Sequence, residues 1–293
     1  MKFRNVFLLL MIGLLMAACQ PGSPIPGTPV STPTIVLTET PSPAPISTDT
    51  PTPDIGPTVE GTSTFTPTAA APARPDEAIV IQEPASGSQV TSPIRVAGIA
   101  DPTFEQTLVV RILLDDGTEV TQVPAMIQAD VGQRGPFEVD VPVDLNAQGN
   151  IFIQVYAESA RDGGITHLSS TGVTFSPDGP ENILTQEPHS EQIAIFTPQI
   201  SETISGGVAH VEGFALATFE QTLLIEILDA DGNVVGSEAI IVQAPDLGQP
   251  GPFSADVAYT VAEPGPGRVV VRDPSPAFGG DTHLNSVEIT LGP

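Results

Sequence analysis

The chain has four histidines, His167, His189, His210 and His283, and a single cysteine, Cys19. A catalytic centre built on histidine needs unlike groups, a nucleophile and a base, converging in one pocket. His167 and His283 instead stand at equivalent places in two copies of one pattern, Thr166-His167-Leu168 and Thr282-His283-Leu284. Lone histidines duplicated near the start of a strand read as surface or edge residues. The sequence holds no Gly-x-Ser-x-Gly, no His-Glu-x-x-His and no glycine-rich phosphate loop. One cysteine excludes a disulfide within the chain and a cysteine metal cage. Asp229-Ala230-Asp231-Gly232-Asn233 has the Asp-x-Asp-x-Asn spacing that opens a calcium loop, but the carboxylate required at the twelfth position is Ile240. A hairpin turn accounts for those residues better. The sequence therefore assigns no catalytic residue, no metal ligand and no cofactor, and it points to a non-catalytic protein.

The elements that carry these residues occur twice. Thr103-Phe104-Glu105-Gln106-Thr107-Leu108 returns letter for letter as Thr218-Phe219-Glu220-Gln221-Thr222-Leu223, 115 residues later. Val96-Ala97-Gly98 answers Val211-Glu212-Gly213, and Asp116-Gly117 answers Asp231-Gly232. Gly135-Pro136-Phe137 answers Gly251-Pro252-Phe253 with the offset grown to 116. One domain of about 100 residues is thus present twice, over 77–177 and 191–293, with 178–190 as a short, stiff, proline-bearing joint.

Within each copy the apolar residues alternate with period 2. Leu108, Val110 and Ile112 lie on one side of a strand with Arg111 on the other; Leu223, Ile225 and Ile227 lie opposite Glu226. A position that accepts Arg in one copy and Glu in the other reads as solvent-facing, so the three apolar positions form the buried face. Asp-Gly between two such runs is hairpin chemistry. About seven short strands are expected per copy, near 78–83, 94–100, 106–114, 118–129, 136–143, 150–158 and 167–175, and near 192–197, 208–215, 221–229, 233–244, 252–260, 268–273 and 283–291. No stretch has helical periodicity. The expected fold is all-β: two tandem immunoglobulin-like β-sandwiches, without the Cys…Trp…Cys pattern of antibody domains.

Charge and leader bound the setting. There are 35 Asp and Glu against 9 Lys and Arg, a formal net charge of −26. Such a surface repels phosphate backbones, which excludes nucleic acid as a partner. Lys2 and Arg4 precede an apolar run from Val6 to Met16, too short for a comfortable membrane span. The run ends in Leu15-Met16-Ala17-Ala18-Cys19, which resembles the lipobox of bacterial lipoproteins. That resemblance implies a signal peptide over 1–18, removal just before Cys19, and a lipid on the Cys19 sulfur that holds the protein to a membrane of the bacterial envelope. Residues 19–76 follow as a disordered Thr/Pro-rich stalk: 20–75 contain 14 Pro and 13 Thr, a composition that cannot offset its ordering entropy. In extended polyproline form it would reach roughly 170 Å.

The repeats carry a second resemblance. Val-x-Gly, then Thr-Phe-Glu-Gln-Thr, then the Asp-Gly hairpin, then Gly-Pro-Phe is similar to the immunoglobulin-like domain of bacterial spore germination. Glu158-Ser159-Ala160-Arg161-Asp162-Gly163 fits that pattern; Asp273-Pro274-Ser275-Pro276-Ala277-Phe278-Gly279 in the second copy departs from it. The resemblance implies a β-sandwich in a cell-envelope protein without an established ligand. The expected partner is an envelope protein or polymer; roles in germination and in carbohydrate binding stay open, the latter weakened because Trp is absent. The partner-binding candidates are Phe104, Glu105 and Gln106 with their twins Phe219, Glu220 and Gln221. The two phenylalanines read first as core plugs closing one end of each sandwich, and second as exposed anchors.

Overall fold

The structure, a computed structural model, describes residues 73–216 and 220–293. The leader, Cys19, nearly all of the stalk and Phe219 lie outside them. Sixteen strands make up the described part, eight per copy. In the first copy they are β1 (Ile79–Glu83), β2 (Gln89–Val90), β3 (Ile94–Ala100), β4 (Thr107–Leu114), β5 (Glu119–Met126), β6 (Gly135–Val141), β7 (Gly149–Glu158) and β8 (Ile165–Phe175). In the second they are β9 (Ile193–Thr197), β10 (Thr203–Ile204), β11 (Val208–Ala215), β12 (Thr222–Leu228), β13 (Val234–Ile241), β14 (Gly251–Ala258), β15 (Gly265–Pro274) and β16 (Asp281–Leu291). The fold is all-β, and each copy is an immunoglobulin-like sandwich. A three-stranded sheet, β1-β3-β6 or β9-β11-β14, faces a larger one, β8-β7-β4-β5 or β16-β15-β12-β13.

The alternation read from the sequence sets the inner faces. Leu108, Val110 and Ile112, like Leu223, Ile225 and Ile227, are fully buried. Each such side chain contributes about 1.5–3 kcal/mol through its removal from water. The Val-x-Gly and Gly-Pro-Phe motifs explain each other. Gly98 lies opposite Phe137 in the β3–β6 ladder, and Gly213 opposite Phe253 in β11–β14. A Cβ on Gly98 would fall 2.0 Å from the Val80 carbonyl oxygen and 2.7 Å from the Phe137 ring. The glycine is the floor on which the aromatic ring lies, in both copies. The Asp-Gly turns form as expected: Gly117 and Gly232 have φ of +81° and +80°. The carboxylates are spent on the turns themselves. Asp116 Oδ1 accepts the Thr118 N–H at 2.9 Å, and Asp229 Oδ1 accepts those of Asp231 and Asn233 at 3.0 and 2.9 Å.

Residues 178–190 do not span open space between two beads. Asn182, Leu184 and Gln186 exchange backbone hydrogen bonds with Gln89, Ala85 and Gln82, so the segment runs back along the first sandwich. The two sandwiches then join edge to edge. β8 pairs antiparallel with β16, His283 opposite Ser169, Leu284 opposite Leu168 and Asn285 opposite His167. The large sheets thereby become one continuous sheet, β13-β12-β15-β16-β8-β7-β4-β5. Leu168 and Leu284 are equivalent residues, so this pairing has a local pseudo-two-fold axis between them. The hydrogen bonds obey it: Ser170 Oγ donates to the Thr282 carbonyl and its counterpart Ser286 Oγ to that of Thr166, both at 2.8 Å.

Candidate functional site

β8 and β16 alternate, so successive residues point to opposite faces of the shared sheet. His167 and Ser169 share a face with the core residues Val173 and Phe175. Leu168 shares the other with Tyr156, Val270 and Leu284, which form a separate apolar cluster across the junction. The inner face at the axis is covered by the chain just before β1 and just before β9. There Asp76 pairs with Ser190, the Glu77 N–H donates to the His189 carbonyl, and the Glu191 N–H donates to that of Pro75.

Four side chains meet in this closed space. Glu77 is 0%, His283 0%, Glu191 2% and His167 7% exposed. His167 Nε2 donates to Glu77 Oε1 at 2.7 Å, and His283 Nε2 donates to Glu191 Oε1 at 2.8 Å. The cross distances are 3.8 Å from His167 to Glu191 and 3.7 Å from His283 to Glu77. The rings stand edge to face with centroids 5.0 Å apart. Backbone of the other copy fixes each carboxylate: Glu77 Oε2 accepts the Gln192 N–H at 3.0 Å, and Glu191 Oε2 accepts the Ala78 N–H at 3.2 Å. Ser169 Oγ to the Ile79 carbonyl and Asn285 Nδ2 to the Ile193 carbonyl tie the same strands to β1 and β9. Burial pushes the Glu77 carboxyl up, but the facing His283 and the hydrogen bond and charge of His167 outweigh it and hold it at about 2. Burial likewise presses His167 down, and the Glu191 charge with the Glu77 hydrogen bond lifts it to about 9.

The expectation that His167 and His283 are surface or edge residues fails for the surface and holds for the edge. Each stands at the edge of its own sandwich, but that edge is the seam between the two. No metal ligand was expected from the sequence, yet four groups able to ligate one converge here. A signal existed. Glu77 and Glu191 each sit two residues before the first strand of their copy, as His167 and His283 sit at the start of the last. Pairing the duplicated histidines with these duplicated acids would have found the set.

The partner-binding candidates lie elsewhere. Phe104–Gln106 form a 3₁₀ turn in which Glu105 and Gln106 both have φ of 55°, and Glu220 and Gln221 repeat it at 47° and 57°. Two consecutive non-glycine residues in the left-handed region are costly, and they persist where the surroundings over-determine them. Buried Gln106 supplies the reason: its Nε2 donates to the Asp130 and Gln133 carbonyls at 3.1 and 3.0 Å. Gln221 does the same to the Asp246 carbonyl at 3.1 Å. Gln106 is thus a structural anchor rather than a contact residue. The core-plug reading of Phe104 fails, because the ring is 60% exposed. It stands between two shallow depressions, one lined by Asp101, Thr103 and Thr166, the other by Glu105, Val109 and Ser159, with Glu158 on both. Glu105 and Glu220 are exposed.

Arg111 and Glu226 are half-buried rather than free in solvent. Arg111 Nε donates to Gln154 Oε1 at 2.6 Å, and Glu226 accepts from Arg272 at 3.1 Å. His189 is half-buried, and exposed His210 contacts Asp256 at 2.6 Å and Glu212 at 3.0 Å.

Residues 78–164 and 192–280 match the family model described as the immunoglobulin-like domain of bacterial spore germination, more than half of the chain in total. No curated protein matches. Among solved structures, dimeric latent PorU from Porphyromonas gingivalis is 12% identical with a TM-score of 0.24, over 73% of this chain and 24% of that one. Red sea bream transglutaminase is 7% identical with a TM-score of 0.26, over 74% and 31%. This chain thus spans less than a third of either. Titin domains Z1Z2, solved in complex with telethonin, are 11% identical with a TM-score of 0.18, over 75% and 97%.

Proposed function

The chain belongs to the family of the immunoglobulin-like domain of bacterial spore germination, and from that premise we propose that it is a non-catalytic envelope lipoprotein whose two domains act as one binding head. The observation that carries this reading is the β8–β16 ladder, which merges both large sheets and sets the two copies at one fixed angle. Two surfaces held on one sheet select a partner whose own sites match their spacing, and the second contact is then intramolecular. The face offered is an aromatic ring among carboxylates: Phe104 beside Glu105, Glu158 and Asp101. Its complement is a partner segment with cationic and apolar groups. The leader ending in Cys19 supports attachment by a lipid, and the Thr/Pro composition of the stalk supports reach away from the membrane.

Expression of the full chain in a bacterial host tests the anchor. The wild type is expected in the detergent phase of a cloud-point extraction, and Cys19→Ser in the aqueous phase or with its leader uncleaved. Equal partition of both would overturn the lipoprotein reading. A role in germination is the second reading, favoured by the family's own description. Deletion of the gene in a spore-forming host, followed by germination kinetics, separates it from general surface display.

A further inference from the structure

We propose that Glu77, His167, Glu191 and His283 form a closed site for one divalent transition-metal ion of the zinc class, which staples the two domains together. The four ligand atoms lie within 4.8 Å of one another. In a tetrahedral zinc site the metal–ligand lengths place neighbouring ligand atoms about 3.3–3.4 Å apart. The four histidine–carboxylate distances bracket that value, two at 2.7 and 2.8 Å and two at 3.7 and 3.8 Å. Equalising these four takes changes of about half an ångström, and the remaining ligand pairs, all within 4.8 Å, close to the same spacing.

The donor set selects the metal. Two imidazoles and two carboxylates suit zinc or cobalt, whereas calcium and magnesium take six or more ligands, nearly all oxygen. Burial leaves the four protein groups as the whole coordination sphere, as in structural zinc sites. Outer contacts orient the carboxylates: the Gln192 and Ala78 N–H groups each hold one oxygen. Charge favours the ion as well. Two buried carboxylates call for two positive charges close by. One divalent ion supplies both.

Each domain contributes one Glu and one His, so neither copy alone can complete the site. Its occupation stabilises only the joined state.

The test uses the full chain, stripped with a chelator and then dialysed against Zn²⁺ or Co²⁺. The expected result is one equivalent of metal by elemental analysis, the intense visible absorption of tetrahedral Co²⁺, and a Tm raised by Zn²⁺ but not by Ca²⁺. His210→Asn, which removes the exposed histidine beside Asp256 and Glu212, is expected to keep all three. Glu77→Gln and His283→Asn are expected to lose them. Retention of the equivalent by both of these variants, or its loss in His210→Asn, would place the metal elsewhere and overturn the proposal. Should the two junction variants fail to fold, the wild type decides alone: no tetrahedral Co²⁺ spectrum, or an equal Tm gain from Ca²⁺, overturns it.

Discussion

Nη2 of Arg268 donates to both carboxylate oxygens of Asp162, at 2.7 and 2.9 Å, across the junction between the two domains. The symmetry-equivalent contact has different chemistry. Arg268 corresponds to Phe152, and Asp162 to Phe278, each 116 residues apart. Phe278 stacks on Phe152 with ring centroids 4.0 Å apart. One half of the interface is a buried ion pair and the other an aromatic stack. Pairing two first copies would set Asp162 against Phe152, and pairing two second copies would set Phe278 against Arg268. The first strands a carboxylate against a ring, and the second exchanges the Asp162–Arg268 ion pair for a weaker cation–π contact, so the divergence of the repeats favours first-with-second joining. The departure of residues 273–279 from the family pattern is the second copy's half of that arrangement.

The ion pair should be expensive to break from one side. Arg268 is 1% and Asp162 6% exposed at the side chain. Asp162→Ala is expected to cost about 3 kcal/mol, because it leaves a buried guanidinium with only the longer contact to Glu288, at 3.6 Å. The double variant Asp162→Phe, Arg268→Phe copies the other half of the interface and is expected to recover most of that loss. Urea denaturation of the two single variants and the double closes the cycle. A double variant no more stable than the singles would show that the two halves are not interchangeable.

The same pair predicts an acid sensitivity. Burial raises the Asp162 carboxyl, but the Arg268 hydrogen bond, the Gly164 N–H and Arg161 outweigh it and hold it below its ordinary 3.8. A carboxyl whose folded value is depressed contributes stability above its unfolded value and loses it as pH falls through the folded one. The stability difference between wild type and Asp162→Asn is therefore expected to be flat from neutral pH down to about 3.8 and to shrink below it. Denaturation midpoints of the two proteins measured in parallel across that range provide the check. A difference independent of pH would mean that the ionised carboxylate contributes nothing.

At the Phe104 turn, binding and stability should separate. Phe104→Ala removes an exposed ring and is expected to change stability by no more than about 0.5 kcal/mol. Glu105→Gly relieves the positive φ and is expected to be neutral or stabilising by up to about 1 kcal/mol. Glu105→Lys and Phe104→Ala are both expected to weaken capture of an envelope partner. Thermal melts alongside binding measurements distinguish these outcomes, and unchanged binding in both variants removes the turn as the contact face.

Gly98 tests the pairing of the repeat motifs. Gly98→Ala places a methyl group against the Val80 carbonyl and the Phe137 ring, with an expected cost of about 1–3 kcal/mol or more. Gly132→Ala, where a Cβ would meet nothing within 4 Å but φ is +81°, separates overpacking from backbone strain. A Gly98 variant no less stable than the Gly132 one would count against the glycine-floor account.

The sequence alone carries the all-β class, the duplication and the bounds of the longer strands to within a few residues, but not the two-residue strands β2 and β10. Those depend on local alternation, as in Leu108, Val110 and Ile112, and on turn chemistry, as in Asp116-Gly117, which neighbours along the chain already specify. It also singled out Thr166-His167-Leu168 and its twin as retained. What surrounds them follows from tertiary pairing. Burial of His167 depends on β8 meeting β16, a contact between residues more than a hundred positions apart that no period within one domain encodes. The exposure of Phe104 has a related cause. An aromatic residue after an apolar strand ordinarily packs inward, but the buried Gln106 takes the inward place and turns the ring out. The sequence thus set how each sandwich is built; how the two sandwiches meet, and with them the Glu–His cluster, followed from pairing at their edges.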